Sequence, residues 1–260
     1  METLTLDDGL LLRYRLDGPA GAPALVLSNS LGADLDMWEA QVAALGQDYR
    51  IARYDTRGHG GSGVPSAPAT VERLGRDLLA LLDHLAIGRA HICGLSLGGM
   101  TAQWLAMRHP ARVARLVLAN TAARIGSAES WDARIAAVRA GGMAAIADAV
   151  LGRFFSPAFR AEQPELLARF RATLLATDPA GYVACCAALC AADLRPRLRQ
   201  IVAPTLIIAG GLDEATPPEQ ARELHAAIGG SELAVLPGAA HLSNAEQPAA
   251  WAELLGRFLG

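Results

Sequence analysis

The chain has 260 residues, 52% of them hydrophobic, with a formal net charge of −3. That is enough length for one sizeable core with an insertion, and the mild acidity excludes a basic stripe for nucleic acid or an anionic membrane surface. All 23 cationic residues are arginine, so Schiff-base and P-loop chemistry, which both need a lysine amine, are excluded as well.

The first residues, Met1-Glu2-Thr3-Leu4-Thr5-Leu6-Asp7-Asp8, lack the positive and apolar regions of a secretory signal. No run reaches the length of about eighteen apolar residues that a membrane span needs. A cytoplasmic protein without a membrane partner is expected. Residues 3–6 and 10–16 bracket Asp7-Asp8-Gly9, a turn signal, and predict an N-terminal β-hairpin. Residues 24–28 form a continuous apolar run suited to a buried parallel strand. A short helix over 38–45 and a strand over 50–54 follow. Next comes the Gly-rich loop Asp55-Thr56-Arg57-Gly58-His59-Gly60-Gly61-Ser62, which has no GK[ST] and opens no helix. Residues 70–85 carry apolar side chains at helical spacing.

A short apolar strand, residues 90–93, then leads into Gly94-Leu95-Ser96-Leu97-Gly98, and a helical run over 100–107 leaves it. This pattern predicts a nucleophile elbow, a sharp turn that lifts the Ser96 hydroxyl above the sheet. Glycine two positions before and after the serine removes Cβ atoms that would collide. Another buried strand covers 113–118. From about Ala123 to Ala192 no strand pattern remains, only helical stretches broken at Gly141-Gly142, Ser156-Pro157 and Asp178-Pro179. Alternation resumes with a strand at 205–209, a helix at 218–227, a strand at 232–236 and a helix at 248–259. The expected fold class is therefore α/β, with a mostly parallel central sheet and helices on both faces. Residues 1–122 and 193–260 form the core, and 123–192 an inserted all-helical unit.

A serine nucleophile needs a base in hydrogen-bond reach and an acid to orient it, and an elbow scaffold places them later, in the order acid then histidine. Only His109, His225 and His241 follow Ser96. His109 ends a helix before proline and His225 lies within one. His241 follows the last strand, where open sheets place their chemistry, so it is the expected base. By the same rule Asp213, directly after strand 205–209, is the expected acid, with adjacent Glu214 as runner-up. The oxyanion hole should combine the N–H of Leu97 with that of Leu31, in the loop Asn29-Ser30-Leu31-Gly32 after the first central strand. The remaining histidines assemble no metal site, and Cys185, Cys186 and Cys190 lack paired CxxC spacing. No metal or cofactor is expected.

With these motifs in place, the chain resembles the α/β-hydrolase family over essentially its whole length. Asp55-x-Arg57-Gly58-x-Gly60-x-Ser62 is similar to a structural signature of that family, and residues 123–192 correspond to its helical cap. Many members carry His-Gly where this chain has Asn29-Ser30. Within the family the chain looks like the 3-oxoadipate enol-lactonases of the β-ketoadipate pathway. Segments 27–32, 53–60, 93–99, 120–123 and 240–244 carry that likeness, the first and fourth being the more specific. The resemblance implies cofactor-free hydrolysis of a small lactone with a carboxylate arm. A carboxylate needs a cation, and here that means arginine. Trp131 and Arg134 are three apart on an expected cap helix and share a face, which we expect to look into the pocket and bind substrate. Other acyl hydrolases of the same fold (carboxylesterases, C–C bond hydrolases, perhydrolases) share these residues, and a non-catalytic receptor is the alternative of a different class.

Overall fold

The computed structural model describes residues 2–260. Its centre is an eight-stranded sheet in the order β1-β2-β4-β3-β5-β6-β7-β8. The strands are β1 (Glu2–Thr5), β2 (Leu11–Asp17), β3 (Ala24–Ser28), β4 (Arg50–Tyr54), β5 (Ala90–Leu95), β6 (Val113–Ala119), β7 (Thr205–Gly210) and β8 (Glu232–Leu236). The expected hairpin β1–β2 is antiparallel and joins β4 antiparallel; from β4 onward every pairing is parallel. The inner strands are buried on both faces: β7 is buried at every position, and Leu25, Val26 and Leu27 of β3 are fully buried. This explains their continuous apolar runs, since a parallel strand covered on both sides has no solvent face to alternate with.

The helices between strands follow from local signals. α2 (Val71–His84) starts at Thr70, whose hydroxyl accepts from Arg73 N, and buries the stripe Val71, Leu74, Leu78, Leu81 and Leu82. α1 (Glu39–Leu45) packs against the last helix, Pro248–Leu259, while α2 packs against α3 (Leu97–Arg108). The strand order reverses at β3. The crossover from β3 runs one way to β4, and the one from β5 the other way to β6. Right-handed crossovers in opposite directions send α1 and α3 to opposite faces. A crevice must therefore open between the loop after β3 and the turn after β5, at their carboxyl ends.

Two boundaries move relative to the expectations. The strand into the elbow runs to Leu95 and α3 begins at Leu97, not Met100. Gly98 and Gly99 hide this first turn, because glycine carries little helix preference. The helix expected over 38–45 divides into a 3-10 turn, Leu35–Trp38, and α1.

The Gly-rich loop serves architecture. Asp55 is fully buried, accepts from Leu35 N at 2.8 Å and Gly61 N at 2.8 Å, and pairs with Arg13. Arg57 grips Asp77 of α2 through Nε at 2.5 Å and Nη2 at 2.8 Å. This buried bidentate pair ties the loop to a helix. Between β6 and β7 the chain runs through α4 (Ala128–Gly141), α5 (Ala147–Phe154), α6 (Pro157–Glu162), α7 (Pro164–Ala176) and α8 (Pro179–Ala191), with no strand among the described residues. Also among these, no single helix is long and apolar enough to cross a membrane.

Candidate active site

Ser96 sits between β5 and α3 with φ +57° and ψ −113°. Such a conformation costs a non-glycine residue about 1–3 kcal/mol, so it persists only because its surroundings hold it. Ser96 N donates to Ala119 O at 3.0 Å, and Thr121 Oγ1 donates to Ser96 O at 2.7 Å. A Cβ at Gly94 would land on the Gly98 carbonyl, and one at Gly98 on the Ser28 carbonyl. Both glycines of the motif are thus demanded by backbone-to-backbone approach.

His241 follows β8 and Asp213 follows β7. His241 Nδ1 lies 2.8 Å from Asp213 Oδ2, and both side chains are buried. Asp213 is saturated with donors: Oδ1 accepts from Ala215 N (2.8 Å) and Thr216 N (3.0 Å), Oδ2 from Thr216 Oγ1 (2.7 Å) and Asn120 Nδ2 (2.9 Å). Burial pushes its pKa upward, but the adjacent His241 and these hydrogen bonds win, holding it down at about 2. An ionised carboxylate only accepts, so Nδ1 must carry the imidazole proton and Nε2 is left as the basic nitrogen. Glu214, the runner-up acid, is exposed.

Asn120 was not foreseen in this role. It follows β6 with φ +43°, donates to Asp213 Oδ2 and to Ala240 O (3.2 Å), and so spans both candidate loops. Its amide is oriented by Ser243 Oγ donating to Oδ1 at 2.5 Å, and Ser243 in turn accepts from Trp251 Nε1 at 3.0 Å. The sequence marks Asn120 only as the first residue of the family-like segment 120–123, and asparagine is among the residues that tolerate a positive φ.

Ser96 and His241 line one small cavity, roofed by α4, α5 and α8. Wider grooves elsewhere, one between Met37 and Phe170, include none of Ser96, Asp213 or His241 in their walls. Leu31 lines the cavity beside Ser96. Leu97 is the first residue of α3, so its N–H has no acceptor within the helix. Trp131 and Arg134 both reach this cavity. Trp131 is buried and donates from Nε1 to Ile125 O at 2.6 Å, and the Arg134 guanidinium lies 4.8 Å from its ring centroid. Arg153, one of the arginines of segment 123–192 that could partner a carboxylate but not singled out by the sequence as Arg134 is, stands exposed at the cavity rim. Among the described residues neither arginine has a carboxylate within 4.0 Å, unlike Arg53 and Arg57. Phe154 stacks on the His241 ring at 5.6 Å and 24°, and its carbonyl accepts from Leu242 N at 2.9 Å. Among the described residues no three His, Cys, Asp or Glu side chains cluster to hold a metal ion.

Comparison with known proteins agrees with this architecture. A family model for the alpha/beta hydrolase fold matches residues 23–248. Over 250 residues the chain is 44% identical to 3-oxoadipate enol-lactonase 2 of Acinetobacter baylyi, covering 96% of this chain and 93% of that protein. Identity to 3-oxoadipate enol-lactonase 1 of the same organism is 41%, over 98% and 96% of the two chains. The crystal structure of the enol-lactonase from Burkholderia xenovorans LB400 superposes with a TM-score of 0.97 at 47% identity, covering 99% of each chain.

Proposed function

The chain belongs to the α/β-hydrolase family, and we propose that within it this protein hydrolyses 3-oxoadipate enol-lactone to 3-oxoadipate, with no cofactor, through an acyl-enzyme on Ser96. One observation carries the reading: a single small cavity brings Ser96 and His241 together with an apolar wall and two arginines that have no carboxylate of their own among the described residues. The lining of such a pocket suits a mostly apolar acyl donor with one anionic arm. In this account Ser96, Asp213 and His241 are catalytic, the amides of Leu31 and Leu97 form the oxyanion hole, and residues 123–192 are a cap on a core of 1–122 and 193–260.

The reaction then runs as follows. Ser96 Oγ attacks the lactone carbonyl while its proton passes to His241 Nε2, and the oxyanion accepts from the N–H groups of Leu97 and Leu31. Asp213 stabilises the imidazolium without taking the proton. The ring C–O bond breaks, and the departing enolate oxygen takes the proton from His241; the enol tautomerises to the ketone. A water molecule gives its proton to His241 and its oxygen to the acyl carbon, and Ser96 leaves with the proton returned. Arg134, laid on the Trp131 face, holds the carboxylate arm, with Arg153 at the rim. Three free buried thiols, Cys93, Cys185 and Cys186, suit a reducing compartment, and we place the activity in the cytoplasm.

The test is the loss of ultraviolet absorbance of enzymatically generated 3-oxoadipate enol-lactone with wild type and Ser96→Ala side by side. Rapid loss with wild type, and a rate lowered by about 10⁴-fold or more in a variant with unchanged circular dichroism, are expected. Near-wild-type turnover by Ser96→Ala would remove the nucleophile; hydrolysis of a simple aryl ester but not the lactone would remove the substrate.

A further inference from the structure

The loop after β3 departs from the family pattern by carrying Asn29-Ser30, and the two side chains behave differently. Asn29 is wholly engaged: Nδ2 donates to Tyr54 O at 2.8 Å, Oδ1 accepts from Trp38 Nε1 at 2.8 Å, and its carbonyl accepts from Gly98 N at 3.0 Å. Ser28 Oγ is paired with the Tyr54 hydroxyl at 2.7 Å. These bonds clamp the loop to β4 and to the first turn of α3, so it cannot shift without breaking buried hydrogen bonds. Ser30 is the exception. The residue is 1% exposed and is among those lining the Ser96 cavity, yet its buried hydroxyl has no hydrogen-bond partner among the described residues. Its backbone is held, with N–H directed at Met37 Sδ (3.4 Å) and C=O accepting from Ala33 N at 3.3 Å.

A buried hydroxyl without a partner destabilises a fold, and unpaired polar atoms are uncommon in native interiors. Alanine at this position would avoid the cost. Placed next to Leu31, in a loop clamped to the start of α3, the hydroxyl is pre-set to donate to an acceptor that arrives only with substrate. We infer that Ser30 Oγ–H is a third donor of the oxyanion hole, acting with the amides of Leu97 and Leu31 on the oxygen that becomes negative when Ser96 attacks. The inference rests on Ser96 being the nucleophile, but not on the identity of the lactone. Any ester that acylates Ser96 develops the same oxyanion.

The test measures kcat and KM of wild type, Ser30→Ala and Ser30→Thr on the enol-lactone and on p-nitrophenyl acetate, with inhibition by phenylboronic acid and the thermal midpoint in parallel. Losing one oxyanion donor lowers kcat by about 10²–10³-fold where the donor is the main one; for a third donor we expect about 10- to 100-fold on both substrates, with KM within about threefold. Boronate, which builds a tetrahedral adduct on Ser96, should weaken by a similar factor. Ser30→Thr, which keeps the hydroxyl, should recover most of the rate. The midpoint of Ser30→Ala should stay or rise, because no protein hydrogen bond is lost; a merely structural serine would lower it. A kcat within twofold of wild type on both substrates overturns the inference. So does a rise in KM confined to the lactone, which would make Ser30 a ligand of its acid arm. If wild type ignores the lactone but cleaves the ester, the substrate reading fails, and the ester arm alone decides on Ser30.

Discussion

The two halves of the cavity are built differently. On the sheet side, each proposed catalytic group is held by several directed bonds. Asp213 accepts from four donors besides His241, Asn120 links the Asp213 and His241 loops, and the Ser96 backbone is clamped by Ala119 and Thr121. On the helical side, Trp131 is fixed by one indole hydrogen bond, Arg134 rests on its ring, and Arg153 reaches the rim without a carboxylate partner among the described residues. Proton transfer tolerates little error in position, so the chemistry belongs where strand ends and saturated polar networks fix the geometry. An arginine recognising a carboxylate needs charge and reach more than a single pose. Under the proposed function, rate belongs to the sheet side and substrate choice to the helices.

That division can be broken in order of expected effect. Asp213→Asn keeps the shape but loses the fixed tautomer of His241, and kcat should fall by about 10⁴-fold on lactone and aryl ester alike. Steady-state kinetics on both substrates check it; a loss confined to the lactone would put Asp213 among the recognition groups. A second effect is on stability. Asp213 has its folded pKa at about 2, below its ordinary value of 3.8. Its contribution is therefore complete above the unfolded pKa and is lost as pH falls from about 4 through 2. The size is roughly 2 kcal/mol. Denaturant unfolding between pH 2 and 6 should show this acid-side loss in wild type and a shallower one in Asp213→Asn; parallel curves would contradict the assigned ionisation.

The same comparison explains what the chain reveals before it folds. Ser96 is legible because an elbow is local: Gly94 and Gly98 must lie two residues away on either side. His241 and Asp213 are legible because position just past a parallel strand is itself a sequence property, readable from the apolar runs at β7 and β8. Trp131 and Arg134 are legible as a pair because helical spacing puts them on one face. Asn120 is not, since its partners Asp213 and Ala240 lie 93 and 120 residues away. Phe154 over His241 and Arg153 at the rim depend on how α5 meets the His241 loop, which no local pattern encodes. Ser30 was visible only as a departure from a family motif. Its unpaired hydroxyl becomes apparent only once the Ser28 and Asn29 side chains on the same loop have found their partners.

The most direct test of the division is the ratio of kcat/KM for the enol-lactone to that for neutral p-nitrophenyl acetate, in wild type and Arg134→Ala. Arg134 has no carboxylate to leave unpaired among the described residues, so the variant should fold normally. The account predicts that KM for the lactone rises about 10- to 100-fold, the worth of one charge-assisted contact, while the acetate is cleaved within about twofold of wild type. An equal loss on both substrates, or none on either, would contradict it.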